Sequence, residues 1–238
     1  GYRGVTRDLT ERKRGEKLVE LEHAVARCLA DANNAAEALE AVIRALCETE
    51  NWEFGRYYRV DEKAGVTRFV EAWCMPGEAN QAFIERSRGI AYGPGMGLAG
   101  KAWQSGQALW AADIHRDTRA TQAVFTLDSG IHGAFVFPVK SEGKTIGVLA
   151  FNSRQIREPD ERLLQAASVI GIQLGQFLQR KQAEESLRRF RAAIDVSADL
   201  VMLVDPVALR YVDVNDAACR ALGYSREEWL AMGPHDVF

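Results

Sequence analysis

The chain has 238 residues, 47% of them hydrophobic and 26% charged, with a formal net charge of −3. That is the balance of an ordinary globular chain and not of a basic nucleic-acid binder. No apolar run approaches the roughly 20 residues of a membrane-spanning helix, and Cys28, Cys47, Cys74 and Cys219 form no C-x-x-C pair, which argues against a zinc ribbon, a redox dithiol or a disulfide framework. The expected setting is reducing and cytoplasmic. The N-terminus has neither an initiator methionine nor the apolar core of a signal peptide and reads as cut from a longer chain.

From Leu9 to about Ala32 the spacing predicts a helix. Leu18, Leu21, Val25 and Cys28 form one apolar seam, and Asp8 and Glu11 suit a capped start. A second helix is expected from Ala35 to Cys47, burying Leu39, Val42, Ile43 and Leu46. The period then changes to that of strands. "WEFGRYYRV" and "VTRFVEAWC" flank the turn "DEKAG", and "GAFVFPV" and "TIGVLAFNS" flank "KSEGK", so two hairpins are expected. The nearly continuous apolar character of the second pair predicts central strands covered on both faces. Between the hairpins lie a predicted helix around Gln81 to Arg88, a glycine-rich stretch, and an irregular region from Ala111 to Ser129.

After "REPDE" a long helix is predicted from Pro159 to about Ile194, with proline and acids at the end where they favour a helix start. Such a helix approaches about 50 Å, more than one compact domain requires. Leu163, Ala167, Ile170, Leu174 and Phe177 make one seam; Ala183, Leu187, Phe190 and Ile194 make another, offset after Arg180-Lys181-Gln182. The second half is expected to act as a connector and a dimerisation surface.

The glycine-rich stretch "GPGMGLAGKAW", Gly93 to Trp103, matches two phosphate-binding motifs at once, G-x-G-x-x-G and G-x-x-x-x-G-K. Neither has its context. A dinucleotide fingerprint leaves a buried strand within a βαβ unit, and here "SRGIAYGP" precedes it. A P-loop places a hydroxyl after the lysine to hold Mg²⁺, and this chain has Ala102 there. The plainer reading is structural. Gly95 and Gly97 permit a tight entry to a helix, Gly100 lets that helix lie close on the sheet, and Leu98, Ala99, Ala102 and Trp103 form its buried face.

"GPGMGLAGKAWQSGQALWAADI", "GIHGAFVFPVKSEGKTIGVLAFNS" and "EPDERLLQAASVIGIQLGQFL" together resemble a GAF domain over about Leu21 to Gln179. "FRAAIDVSADLVMLVDPVALRYVDVNDAACRALGYSREEWL" resembles the first half of a PAS domain, with Asn215 as a helix cap and Ser225 with Glu228 as a capping box. "GYRGVTRDLTERKRGEKL" resembles the exit of a different PAS domain, with Asp8-Leu9-Thr10 in place of its Asp-Ile-Thr. The implied class is α+β, a central antiparallel sheet with packed helices and long terminal signalling helices. The implied organisation is residues 1–20 as the end of a PAS domain with a linker helix, 21–180 as a GAF sensor, 181–190 as a helical linker and 191–238 as the start of a second PAS domain. Tandem arrays of this kind belong to bacterial sensor proteins with a histidine kinase or a cyclic-dinucleotide synthase or hydrolase as output. The expected function is therefore a non-catalytic sensory module that binds a small ligand or relays a conformational signal as a homodimer. The alternatives are a ligand-free structural dimerisation module and, more remotely, a P-loop-like nucleotide enzyme.

In the family the pocket lies between one sheet face and the segment after the glycine turn, here Trp110 to Ser129. The resemblance makes Trp73, Trp110, Asp113, Phe125, His132 and Phe135 candidate ligand-binding residues, since aromatic walls with a few polar groups suit a flat organic ligand. The competing reading is that these aromatics simply fill the core. "ADIHRD" sets Asp113, His115 and Asp117 at alternate positions that would converge on a metal if extended, but a solvated loop with a cap or an ion pair explains them with less, and no metal is expected. His132 suits a haem ligand or a proton switch, and an ordinary polar contact is preferred. No cofactor is named: the covering segment lacks the cysteine of the bilin-binding branch, and the N-K-F-D-E signature of the cyclic-nucleotide branch is absent. No catalytic constellation, G-G-D-E-F signature or nucleophile elbow is found.

Overall fold

The computed structural model describes residues 19–120 and 130–237, and the Asp8-Leu9-Thr10 signature and the expected helix start at Leu9 lie outside them. The chain divides into a unit of residues 1–181 and a unit of residues 182–238. In the first, a helix over residues 19–31 (α1) is followed by α2, Ala35–Glu50. Asn34 caps α2 by accepting from the Glu37 N–H, and Asn51 closes it in the left-handed conformation at φ 57°, so the helix continues past the predicted Cys47 to a residue type that tolerates that turn. Two strands, β1 (Phe54–Asp61) and β2 (Val66–Cys74), form the first hairpin. Then come α3 (Glu78–Ser87), α4 (Gly97–Ser105) and the short β3 (Leu109–Ala111). The second hairpin, β4 (Gly133–Ser141) and β5 (Lys144–Ser153), leads to α5, Glu161–Asp195.

Among the described residues the sheet order is β2-β1-β5-β4-β3, and every pairing is antiparallel. The architecture is thus α+β, with the predicted second hairpin at the centre of the sheet. Strand alternation sorts side chains onto two faces. Tyr57, Phe135, Phe137, Val139, Leu149 and Phe151 point to one, where α1, α2 and the first half of α5 cover them in a core that includes Trp52 and Trp110. Phe54, Tyr58, Ala134, Val136, Val148 and Ala150 point to the other, against Phe83 and Ile84 of α3, Leu98, Ala99 and Ala102 of α4, and the flanking Ile114 and Ile131. Each large apolar side chain buried in this way contributes about 1.5–3 kcal/mol relative to leaving it in water.

The long helix α5 lies close on the sheet because its buried stripe includes glycines. A Cβ on Gly171 would meet the Pro138 carbonyl oxygen at 2.3 Å, and one on Gly175 the Lys140 carbonyl oxygen at 2.0 Å. The predicted first seam (Leu163, Ala167, Ile170, Leu174, Phe177) is buried. The second seam is not: Leu187 is 67% and Phe190 58% exposed. The boundary between the two units falls within α5.

The second unit holds β6 (Met202–Asp205) and β7 (Arg210–Val214), an antiparallel pair, followed by α6 (Asp216–Leu222) and α7 (Arg226–Ala231). Its core is Tyr211, Val214, Ala218 and Trp229. The fully buried Asn215 organises the fold around itself. Its Oδ1 accepts from the Val201 and Ala218 N–H groups, and its amide donates to the Ile194 and Asp199 carbonyls. The predicted capping box between Ser225 and Glu228 is present. No helix among the described residues is long and apolar enough to cross a membrane.

Candidate functional site

The glycine turn is not a phosphate cradle. Helix α4 begins at Gly97, so Lys101 sits within the helix and not at its mouth, and the element before the turn is helix α3, not a strand. The turn also uses its own backbone donors: Gly95 N–H bonds the Gly100 carbonyl at 2.9 Å, Met96 N–H that of Gly93 at 3.1 Å, and Gly100 N–H that of Met96 at 3.0 Å. Gly95 and Gly97 have positive φ, 77° and 59°. A Cβ on Gly100 would strike the Gly93 carbonyl oxygen at 2.0 Å. The motif exists to fold the chain tightly, with Leu98, Ala99 and Ala102 buried beneath it and Trp103 partly so.

A different constellation forms where the β3–β4 ladder runs off the end of the sheet. Past Ala111, paired with Ala134, the Ile114 N–H reaches the His132 carbonyl at 2.8 Å. This extra rung, with Ile114 and Ile131 buried beneath it, brings the residue 113–115 turn onto His132. Asp113 Oδ1 takes the His115 backbone N–H at 3.1 Å and lies 3.1 Å from His132 Nδ1. The His115 and His132 rings meet edge to face, 4.9 Å between centroids. Burial pushes the Asp113 carboxyl up, but the His115 N–H and the neighbouring His132 outweigh it, so the group is held below the ordinary carboxylate value. The site therefore carries a persistent negative charge beside two imidazoles.

Arg157 ties this end of the sheet to the helices. Its backbone N–H donates to Ala112, beside Asp113, and its carbonyl accepts from Trp110 Nε1 at 2.6 Å. Its guanidinium donates to the Glu50 and Asn51 carbonyls at the end of α2, at 2.8 and 2.9 Å, where the helix dipole favours a cation, and lies 4.0 Å from the Trp52 ring. Burial draws its pKa below the usual arginine value. A shallow cavity of about 470 Å³ beside it is lined by Asp113, Arg116, Arg119, Ile156 and Glu158 among others.

Of the six sequence-predicted ligand residues, the five that are described do not all converge. Asp113 and His132 meet. Trp110 and Phe135 are in the helix-side core, with ring centroids 5.0 Å apart and both packed on Trp52, and Trp73 packs against the same core. The reason is strand alternation: Phe135 shares a face with Phe137 and Val139, and Trp110 faces with it because the two are paired across β3 and β4. Phe125 lies outside the described residues. Asp117 does not join Asp113 and His115; it pairs with Arg119 at 2.7 Å.

Sequence reasoning passed over Arg56. It is 4% exposed and points to the face opposite the aromatic core, where it bonds Ser87 Oγ at 2.9 Å and Asn152 Oδ1 and stacks 4.8 Å over Phe83. Among the described residues it has no carboxylate partner. The signal was present: Arg56 sits between Phe54 and Tyr58 on the same side of a strand, a charge at a core position.

A GAF domain model matches residues 32–179, and a PAS domain model matches residues 188–236. The chain is 24% identical over 242 residues to the methyl sulfide methyltransferase-associated sensor of Methanosarcina acetivorans, an alignment that takes in 99% of this chain and 24% of that protein. The chain thus spans about a quarter of the length of this curated relative. Among solved structures, it is similar to the GAF domain of a phosphoenolpyruvate-protein phosphotransferase from Coxiella burnetii (TM-score 0.61, 16% identity, 72% of this chain and 98% of that one). It is also similar to free methionine-R-sulfoxide reductase from Neisseria meningitidis in complex with its substrate (0.58, 18%, 71% and 93%) and to the A. aeolicus nlh2 GAF domain in an inactive state (0.57, 18%, 70% and 98%). At these identities the likeness is one of fold.

Proposed function

This chain belongs to the GAF domain family, and we propose that it works as a non-catalytic sensory module that relays a conformational change, set by a small ligand, through paired terminal helices to a distant output domain. The observation that carries this reading is the contrast along α5. Its first half is built into the core, while Leu187 and Phe190 of its second half stand in solvent at one-turn spacing. A second copy of the same helix, running parallel, is the natural cover for such a seam. Asp113 and His132 are the ligand-facing residues, and Arg157 is the link from their loop to α2 and the approach to α5. The sensor relative and the adjacent PAS match support a signalling array; in this reading residues 21–180 are its GAF part, the setting is cytoplasmic, and the output is cyclic-dinucleotide turnover or a histidine kinase. An A ⇌ B equilibrium in helix crossing that ligand binding biases is sufficient for the relay.

The similarity to a sulfoxide reductase raises an enzymatic alternative, which the thiols do not favour. Reduction of a sulfoxide by protein thiols requires a reachable thiolate. Cys47 is buried and its thiol is pushed far up by burial; burial also raises Cys28 and Cys74, and Cys219 in the second unit. The remaining alternative is a dimerising spacer that senses nothing.

Sedimentation analysis of the chain and of Leu187→Asp/Phe190→Asp separates these. The relay reading expects a dimer that the double substitution converts to monomer with unchanged circular dichroism, and loss of regulation when the same substitutions are placed in the longer protein. A wild-type monomer at tens of micromolar, or intact regulation in the substituted protein, overturns it. A dimer with no response to any bound ligand supports the spacer.

A further inference from the structure

We propose that Asp113, His115 and His132 form a binding site for a divalent transition-metal ion at the end of the β3–β4 ladder. Each residue offers one ligand atom, and the three atoms lie within 4.8 Å of one another. Ligands of a tetrahedral zinc-type ion sit about 2.0–2.2 Å from the metal, which puts them roughly 3.4 Å apart. The His132 Nδ1 to Asp113 Oδ1 separation of 3.1 Å already meets that spacing. The His115 donor lies within 4.8 Å of both.

The backbone carrying the three is fixed before any ion arrives. The Ile114 N–H to His132 carbonyl bond locks the two segments in register, and the Arg116 and Asp117 N–H groups, both 3.1 Å from the Asp113 carbonyl, close the turn that presents His115. Beneath them Ile114 and Ile131 are buried. The Asp113 side chain is recessed at 11% exposure and the His132 side chain stands at the rim at 37%, so the carboxylate is sheltered while an ion has a path in. A plain histidine–aspartate contact accounts for two of these residues and leaves the third ring at the same point unexplained.

The donor set selects the kind of ion. Two imidazoles and one carboxylate suit zinc, cobalt, nickel or ferrous iron. Calcium and magnesium prefer all-oxygen shells, and cuprous copper prefers thiolates, none of which is here. Three protein ligands leave a position open for water or a small anionic ligand. One charge opposes the ion: Arg116, 3.8 Å from Asp113 Oδ2, is itself largely exposed and free to swing into solvent. The sequence pattern had paired Asp113 and His115 with Asp117; the fold substitutes His132, nineteen positions from Asp113, and gives Asp117 to Arg119.

The site stands independently of the dimer and relay. Chelator-treated protein of the full 238-residue chain is titrated with Co²⁺, read by its visible d–d absorption, and with Zn²⁺, read by calorimetry. The expected result is a single equivalent bound, with a four- or five-coordinate cobalt spectrum, and affinity reduced about tenfold or more by His115→Ala and by His132→Ala. His23→Ala, on the exposed side of α1, leaves binding unchanged. Equal affinity in the His115→Ala/His132→Ala double variant, or no saturable binding in a wild-type chain with native circular dichroism, overturns the proposal. Repeating the titration in Leu187→Asp/Phe190→Asp keeps this outcome separate from that of the relay.

Discussion

The two faces of the central sheet are built on different principles. The helix face is packed with large aromatics: Trp52, Trp110, Phe135, Phe137 and Phe151 form a continuous ring cluster, with Phe137 and Phe151 stacked at 5.9 Å. The opposite face uses small residues along its centre, Ala134, Val136, Val148 and Ala150, and admits the charge of Arg56 with Asn152 and Ser87. An aromatic core against three helices is suited to holding a fixed shape, because close-packed rings and glycine-mediated backbone contact leave little freedom to shift. A face of small side chains with a buried polar network and short covering helices is suited to change. Trp73, Trp110 and Phe135, which sequence reasoning assigned to a ligand wall, pack on the rigid face.

Glycine substitutions and the removal of Arg56 test that difference, and the largest effect belongs to the helix face. Gly175→Ala places a Cβ 2.0 Å from the Lys140 carbonyl oxygen, on β4 where Lys140 is paired with Thr145 of β5. Neither backbone can yield without disturbing the sheet, so a loss of about 3 kcal/mol is expected, read as a lowered urea midpoint. If the midpoint barely moves, α5 is not seated as tightly as the helix-face picture requires. Arg56→Ala on the other face is expected to lose about 2 kcal/mol, since it strips Ser87 and Asn152 of a charged partner and leaves space beneath Phe83. Arg56→Met, which keeps most of the stem, should recover part of the loss. A methionine variant as stable as wild type would show that the charge itself contributes nothing to folding.

Most of the fold was legible because it follows from period and capping. The nearly continuous apolar character of "GAFVFPV" and "TIGVLAFNS" pointed to a doubly covered hairpin, and the first α5 seam, from Leu163 to Phe177, is buried as its spacing implied. Asn215 and Ser225 cap helices because short polar side chains before an apolar-periodic run have few other local uses. The candidate site was legible only in part. Asp113 and His132 are distant in sequence, and their meeting depends on one extra ladder rung after a strand of three residues, which no local pattern announces. Which face Trp110 and Phe135 occupy depends on register, and a shift of one residue would have reversed it. The exposure of Leu187 and Phe190 is likewise invisible to spacing, which shows a seam but not what covers it.

The smallest effects separate the two readings of the glycine turn, on the small-residue face. Gly100→Ala brings a Cβ against the Gly93 carbonyl oxygen at 2.0 Å, the same approach as at Gly175. Here, however, the oxygen belongs to a local turn that can open by shifting a few residues, and the expected loss is only about 1–2 kcal/mol. Lys101→Ala, one position on, removes a half-buried side chain that is not among the buried residues of α4, and should change stability by less than about 0.5 kcal/mol. The pair discriminates because a phosphate cradle predicts the reverse order of importance: the lysine would dominate nucleotide affinity, and the glycine would matter only through it. Equal stability of Lys101→Ala and wild type, with no nucleotide-dependent rise in melting temperature for either, confirms that the turn serves packing. A nucleotide-dependent rise that Lys101→Ala abolishes would instead put a phosphate against α4 and make this face, and not the end of the β3–β4 ladder, the site to pursue.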